Sequence, residues 1–196
     1  MYRFLKKELF LNMLYWMWTM ATSNKMRLEQ DGKKILFELV KNAKENIDTI
    51  AKHCGFSRQK VWKVIKQMEE NQMIWGYTAI FDEQRIGMNH FMLMFKRSSK
   101  PLKEGTVDLI VSRRIEGILD KLELGVIVES SAYVHGDYDW VVTFIAEDIK
   151  QAKKYSDIFI GLHPGEIEKV TLLQTMMSVK KQYVLNPDRK KLKDFL

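Results

Sequence analysis

Residues 47–70 read IDTIAKHCGFSRQKVWKVIKQMEE, and this stretch decides the fold. Its first part predicts a short helix whose inward residues recur at helical spacing: Ile47, Ile50 and Ala51. Gly55 suits the left-handed conformation that often ends a helix, and Ser57 is a favourable N-cap for a second helix running to about Asn71. Two helices joined by a short turn containing glycine form a helix-turn-helix, whose second helix enters the major groove of DNA.

The second of these helices has an apolar face and a basic face. Its apolar residues stand at i, i+3, i+4 and i+7 and predict the buried face: Val61, Val64, Ile65 and Met68. Between Ser57 and Met68 there are four basic residues and no acidic one, so positive charge gathers toward the N-terminal end, where a recognition helix meets DNA. The predicted DNA-binding residues are Ser57, Arg58, Gln59, Lys60, Trp62, Lys63 and Lys66.

Individual roles follow from side-chain chemistry. Lys63 and Lys66 suit phosphates, Arg58 and Gln59 suit base edges, and Trp62 suits a thymine methyl group. The alternative is a lysine-rich face that is merely solvated. A large apolar ring on a polar face favours a contact with a partner, although that partner could also be a protein.

The segments before and after these two helices predict the rest of the DNA-binding domain. Asp31 is a favourable N-cap for an amphipathic first helix, which Asn42 to Asn46 closes. Its inner face is predicted to carry Ile35, Leu36, Leu39 and Val40. After Gly76, the run Tyr77 to Phe81 is rich in β-branched and aromatic residues and predicts a strand of a wing or hinge.

The second half of the chain predicts a βαββαβ module, the order of a ferredoxin-like domain. The predicted strands are His90 to Lys96, Val126 to Val134, Asp139 to Ala146 and a long last region, Ile167 to Tyr183. The first helix is traced by Val107, Ile110, Val111, Ile115, Ile118, Leu119 and Leu122, and the second by Ile149, Ala152, Ser156 and Phe159. Residues 135–138 make a hairpin turn between the middle strands, and 163–165 make a second turn.

We therefore expect an α+β protein, with an N-terminal winged helix-turn-helix domain followed by a ferredoxin-like domain. The expected divisions are an apolar extension at 1–25, the DNA-binding domain at 26–82, a hinge at 83–88, the ferredoxin-like oligomerisation and effector domain at 89–186 and a basic tail at 187–196.

Composition fits a polyanionic partner and a reducing compartment. The 196-residue chain has a formal net charge of +7, and its single cysteine, Cys54, cannot form an internal disulfide. The apolar run Leu9 to Met20 is short for a membrane span, so we expect a cytoplasmic protein whose translation starts at Met26. Without residues 1–25, which hold four basic residues and one acidic one, the net charge falls to +4. The alternatives for this segment are an extra helix packed on a partner, or an export signal.

Four stretches resemble the Lrp/AsnC family, the feast/famine regulators of bacteria and archaea, and its archaeal-type members in particular. They are Asp31 to Leu36, Ile50 to Ser57, Val61 to Glu69 and Ile74 to Ala79, of which the last is the most specific. The resemblance implies a double-stranded DNA-binding transcriptional regulator that forms dimers through the sheet of its second domain and assembles further into tetramers or octamers.

Family members commonly bind an amino acid near a Gly-x-Tyr-Asp hairpin. The matching effector-binding residues are Gly136, Asp137, Tyr138 and Asp139, with Asp137 at the variable position. The alternative is that the aspartates only complete a tight turn. Glu166 and Glu168, close to Gly165, depart from the family pattern and leave the effector's identity open.

We expect no catalytic site, metal or cofactor. The four histidines, His53, His90, His135 and His163, share no spacing and are expected to be surface or cap residues. No nucleophile elbow or glycine-rich phosphate loop is present. Two other functions stay open: a ligand-binding oligomer without DNA activity, and an enzyme like the siroheme decarboxylases, which share the architecture but carry a histidine-rich loop where this chain has one histidine, His135.

Overall fold

The computed structural model describes residues 30–112 and 124–196. The predictions for residues 1–25, and for the part of the first predicted helix of the second domain that carries Ile115 to Leu122, lie outside these residues. The described residues divide into two compact units. The first ends at Ala79 and includes Gln182–Val184, and the second comprises Ile80–Lys181 and Leu185–Leu196. No helix within 30–112 and 124–196 is long and apolar enough to cross a membrane.

Three helices build the first unit. Helix α1 is described over residues 30–41, α2 spans Ile47–Cys54 and α3 spans Arg58–Glu70. Their apolar stripes meet in one core, with the predicted face of α3 turned inward, and its fully or nearly buried members are Ile35, Leu39, Ile50, Ala51, Val61, Val64 and Met68. Burial of this stripe leaves the basic side of α3 in solvent.

Two predictions for this unit are wrong. Residue 30 is already helical, so Asp31 is not the N-cap of α1; its carboxylate instead pairs with Lys60 at 2.6 Å. Tyr77 to Phe81 is not a strand, because in the described part of the chain this segment finds no neighbouring strand to pair with. Its β-favouring residues stay largely exposed, as the 54% exposure of Tyr77 and the 47% exposure of Phe81 show.

The second unit is built on four main strands. These are β1 (Asn89–Arg97), β2 (Ile127–Tyr133), β3 (Trp140–Ala146) and β4 (Ile167–Gln174). Helix α4 (Thr106–Val111) follows β1, and α5 (Ile149–Leu162) follows β3. The chain also has shorter elements: 3-10 turns at Glu83–Ile86 and Arg189–Phe195, and a small ladder between β5 (Lys180–Lys181) and β6 (Val184–Leu185).

The sheet is antiparallel with strand order β2-β3-β1-β4, as a ferredoxin-like βαββαβ module requires. Alternation along β1 places Phe91, Leu93 and Phe95 on the face covered by α5. They pack with Phe144, Tyr155 and Phe159, and the rings of Phe95 and Phe159 stack at 4.2 Å between centroids. Met92 and Met94 point to the opposite face.

Two predictions for this unit need correction. The last strand ends at Gln174 rather than Tyr183, because β4 pairs with β1 only as far as Phe91. Ile149 is 45% exposed, since the first residue of α5 lies beyond the sheet that buries Ala152, Ser156 and Phe159. His163, expected to be a surface or cap residue, is the C-cap of α5, and it is 4% exposed because its ring packs on Phe159 at 4.8 Å between centroids.

A buried carboxylate fastens the start of α4. Glu166 is 5% exposed and accepts hydrogen bonds from the Lys103 backbone N–H (2.9 Å), the Thr106 hydroxyl (3.0 Å) and His163 Nδ1 (3.3 Å). Gly105, the N-cap of α4, provides no side-chain cap, so a residue far along the chain supplies the acceptor. The Lys103 N–H, above all, holds the pKa of Glu166 below its ordinary value, although burial opposes this effect.

Replacement of Glu166 by alanine is expected to lower the free energy of unfolding by about 1–3 kcal/mol near neutral pH, because it strands buried donors. Since the folded pKa lies below the unfolded one, the contribution is complete above the ordinary value of 4.5 and disappears as pH falls through the folded pKa. Chemical denaturation of Glu166→Ala and of the exposed-site control Glu168→Ala, at neutral and acidic pH, measures it. Equal effects of the two substitutions would refute this account.

Candidate nucleic-acid interface

The turn before α3 fixes where this helix begins. Gly55 takes the left-handed conformation, with φ of 70°, and the N–H of Phe56 donates to the Ala51 carbonyl at 2.9 Å. The Ser57 hydroxyl then accepts from the Lys60 N–H at 3.2 Å, which confirms the predicted cap. Ser57 is thus occupied by its own helix, and the first turn of α3 projects from a rigid corner.

The outward face of α3 carries most of the predicted DNA-binding residues together. The exposed members are Arg58, Gln59, Trp62, Lys63 and Lys66. The Trp62 side chain is 54% exposed, and Lys66 Nζ lies 5.9 Å from the centre of its ring. Cations and an aromatic surface on one helix face match the chemistry that phosphates and base edges require.

Arg58, at the first position of α3, is held by a carboxylate that the sequence reasoning missed. Its Nη1 lies 2.9 Å from Asp48 Oδ2, and both side chains are more than half exposed. Asp48 stands in the first turn of α2, where Asn46 Oδ1 accepts its backbone N–H at 2.9 Å. The partners are ten positions apart and lie on different helices separated by a turn, so no periodic pattern in the sequence reveals this pair.

Lys60 is the least accessible of the basic residues predicted to contact DNA. Its ammonium group pairs with Asp31 of α1 at 2.6 Å and lies 4.0 Å from the centre of the Phe56 ring. Lys34 Nζ approaches the same ring at 5.7 Å. These contacts tie α1, the turn and α3 together, so the structure places Lys60 in a bracing position rather than on the open face.

Beyond α3 the chain displays further aromatic residues. The Tyr77 hydroxyl donates to Glu69 at 2.9 Å, and burial, together with this carboxylate, raises the pKa of Tyr77 to about 12. The phenol therefore stays protonated and anchors the segment to the end of α3. Trp75 is 95% exposed.

The hairpin predicted to bind an effector is mostly occupied by structural contacts. Asp139 Oδ2 accepts the Arg97 N–H at 2.8 Å, and the Tyr138 hydroxyl lies 2.9 Å from Thr171 Oγ1. That hydrogen bond lowers the pKa of Tyr138. Lys96 Nζ reaches the Gly136 carbonyl at 3.3 Å, while the Asp137 side chain points into solvent.

Three of the four histidines, His53, His90 and His163, make pairwise contacts with glutamates. His53 Nδ1 lies 2.7 Å from Glu38, and His90 Nε2 lies 2.8 Å from Glu129. Within 30–112 and 124–196, no group of three or more histidine, cysteine, aspartate and glutamate side chains could hold a metal ion.

Comparison with known proteins agrees with this geometry. Residues 27–74 match the family model described as winged helix-turn-helix DNA-binding. No curated protein matches the sequence. Similar solved structures include an AsnC family transcriptional regulator from Agrobacterium tumefaciens, at 20% identity over 81% of this chain and 96% of that one, with a TM-score of 0.55.

Two other solved structures show the same likeness. A transcriptional regulator of Neisseria meningitidis in complex with L-Met is 16% identical over 85% of this chain and 97% of its own, with a TM-score of 0.58. The leucine response regulatory protein of Mycobacterium tuberculosis is 17% identical over 79% and 98%, with a TM-score of 0.56. The predicted α+β fold and the resemblance to Lrp/AsnC regulators are therefore confirmed. Over residues 27–74 this chain is similar to winged helix-turn-helix DNA-binding domains, and as a whole it has the two-domain fold of the solved AsnC-family transcriptional regulators.

Proposed function

We propose that this protein is a sequence-specific transcriptional regulator that binds double-stranded DNA through the outward face of α3. The observation that carries the proposal is that face itself: Arg58, Trp62, Lys63 and Lys66 share it and are all exposed, while the opposite face is buried in the domain core. A winged helix-turn-helix presents this helix to the major groove. Such a regulator acts in the cytoplasm and needs no catalytic site.

We assign different roles to the basic residues of α3. Lys63 and Lys66 project from successive turns of α3 and would neutralise phosphates, which contribute affinity independent of sequence. Arg58, at the N-terminal end of the helix, would read a base edge, most naturally the O6 and N7 atoms of guanine. Gln59 is exposed beside it.

A second copy of the chain would double the recognition surface. The sheet face opposite α5 displays apolar side chains: Met92 and Met94 are half-buried, and Leu173, which pairs with Met92, is 48% exposed. A two-fold dimer through this face would place paired α3 helices in successive major grooves, with half-site centres about 34 Å apart or at multiples of that distance. Assembly of such dimers into tetramers or octamers would follow the Lrp/AsnC pattern.

The proposal includes an amino-acid effector at the hairpin 136–139. Asp139 and Tyr138 support the local structure, and Lys96 contacts the Gly136 carbonyl, which leaves the exposed Asp137 side chain for a ligand. The carboxylate of Asp137 would bind an α-amino group. Support comes from the structurally similar Neisseria meningitidis regulator, whose structure contains L-Met.

Titration of labelled DNA from upstream of the protein's own gene, with excess random duplex as competitor, tests DNA recognition. Saturable binding that survives the competitor is expected. Lys63→Ala and Lys66→Ala should each weaken binding to all duplexes and flatten the salt slope by about one, whereas Arg58→Ala should relax base preference by about 1–3 kcal/mol. Lys150→Ala, an exposed cation on α5, is the charge control. Binding that is fully lost to competitor refutes the proposal.

The titration repeated with L-methionine tests the effector.

Lys60→Ala is expected to differ from Lys63→Ala in its effect on stability. Loss of the Asp31 pair and of the Phe56 contact should lower the free energy of unfolding by about 1–2 kcal/mol. The exposed Lys63 should change it by less than about 0.5 kcal/mol. Thermal and chemical denaturation of both variants measure the difference, and a reversed order would show that Lys60 does not brace the domain.

Met92→Lys is expected to convert a dimer into a monomer, because it buries a charge in the proposed interface. Ile149→Lys makes the same chemical change at an exposed position on α5 and should leave the assembly intact. Light scattering coupled to size-exclusion chromatography reports the mass, and circular dichroism checks that both variants fold. A wild-type monomer, or a Met92→Lys dimer, would exclude this interface.

A further inference from the structure

Asp48 of α2 is the carboxylate partner of Arg58, the residue at the start of α3 that is predicted to read a base. Arg58 Nη1 and Asp48 Oδ2 are 2.9 Å apart, with 69% of the arginine side chain and 56% of the aspartate side chain exposed. Both are therefore open to solvent at the N-terminal end of α3, the end that a recognition helix presents to DNA. Asp48 adds a negative charge where phosphates would approach. Such a charge lowers affinity for DNA, so maximal affinity alone does not explain its presence.

The other three basic residues of α3 are arranged differently. Lys60 pairs with Asp31 from inside the domain, where the aspartate is only 14% exposed. In the described part of the chain, Lys63 and Lys66 form no ion pair. Arg58 is thus the one cation of this face whose partner is itself open to solvent and to DNA, among the residues that the structure describes.

We propose that Asp48 is a positioning residue that sets the DNA sequence preference of the protein by holding Arg58. This inference rests on the proposed function. An exposed arginine samples many rotamers, and ordering it on a base costs conformational entropy. A carboxylate that is hydrogen-bonded to Nη1 restricts the arginine side chain before DNA binds. It leaves Nε and Nη2 available for a guanine edge.

The same carboxylate would discriminate against random DNA. On a non-matching sequence, Asp48 repels the nearby phosphates while Arg58, partly neutralised, attracts them only weakly. On the matching base, the guanidinium bridges the base and Asp48, and exclusion of water strengthens both hydrogen bonds. Asp48 therefore lowers affinity for every duplex but lowers it least for the right one, which raises specificity.

A purely structural role for Asp48 is the competing explanation. Its side chain stands in the first turn of α2, where a negative charge stabilises the helix dipole. In that case, substitution would weaken binding to specific and random DNA equally by destabilising the domain. An exposed ion pair contributes little to folding stability, so the variant proteins should fold and the two explanations can be separated.

The experiment starts with wild-type protein selecting its preferred duplex from a random pool. Each single-base variant of that duplex is then titrated with wild type, Asp48→Asn, Asp48→Glu and Arg58→Ala. Asp48→Asn should bind random duplex about two- to fivefold more tightly, with a salt slope steeper by up to about one, and should lose about three- to tenfold of its preference at the single position that Arg58→Ala affects. Asp48→Glu should keep most of the preference.

Controls separate positioning from net charge. Glu70→Gln removes one negative charge at the far end of α3 and should leave base preference unchanged. In an Arg58→Ala background, Asp48→Asn should cause no further loss of preference.

Each remaining outcome overturns the inference. It fails if Asp48→Asn retains the wild-type preference, if Glu70→Gln loses as much, or if Asp48→Asn weakens specific and random binding equally together with a lower melting temperature. Failure of the wild-type protein to select any sequence would instead refute the proposed function itself, and the inference with it.

Discussion

The packing of α3 against α1 and α2 is the constraint on which the DNA-binding surface depends. Val61 and Val64 are almost completely buried against Ile35 and Ile50, so the helix has only one rotation that satisfies its apolar stripe. This rotation turns Trp62 and the outer lysines into solvent. A basic face on α3 is therefore a consequence of hydrophobic burial on its other side, and a substitution that disturbs the core would also misdirect the side chains that we propose to contact DNA.

Polar contacts at the start of α3 add to the packing of the apolar core. Ser57 caps the first turn of α3, and Lys60 pairs with Asp31 of α1, so both residues near the helix start make contacts within the domain. Asp48 then holds Arg58 from the neighbouring helix. The start of the helix is stiff and nearly charge-compensated, whereas the uncompensated charge lies one and two turns further along, at Lys63 and Lys66.

The second unit is likewise held together by apolar packing and by local hydrogen bonds. Phenylalanines on β1, β3 and α5 fill the space between sheet and helix, and Glu166 fastens the start of α4. At the hairpin 136–139, contacts of Tyr138 and Asp139 with β1 and β4 leave little free except Asp137 and the backbone. Few atoms of the hairpin therefore remain for contact with a ligand.

Local sequence determined the helices, the caps at Gly55 and Ser57, the βαββαβ order and the basic face of α3, because periodicity and capping depend on residues a few positions apart. The α+β fold and most of the exposed residues on the basic face of α3 followed from these patterns. Tertiary structure alone decided that Tyr77 to Phe81 is not a strand, that β4 ends at Gln174 and that His163 is buried, since each depends on which segments become neighbours in space. It alone revealed that Asp31 and Asp48 hold Lys60 and Arg58, because an ion pair between different helices leaves no periodic trace in the chain.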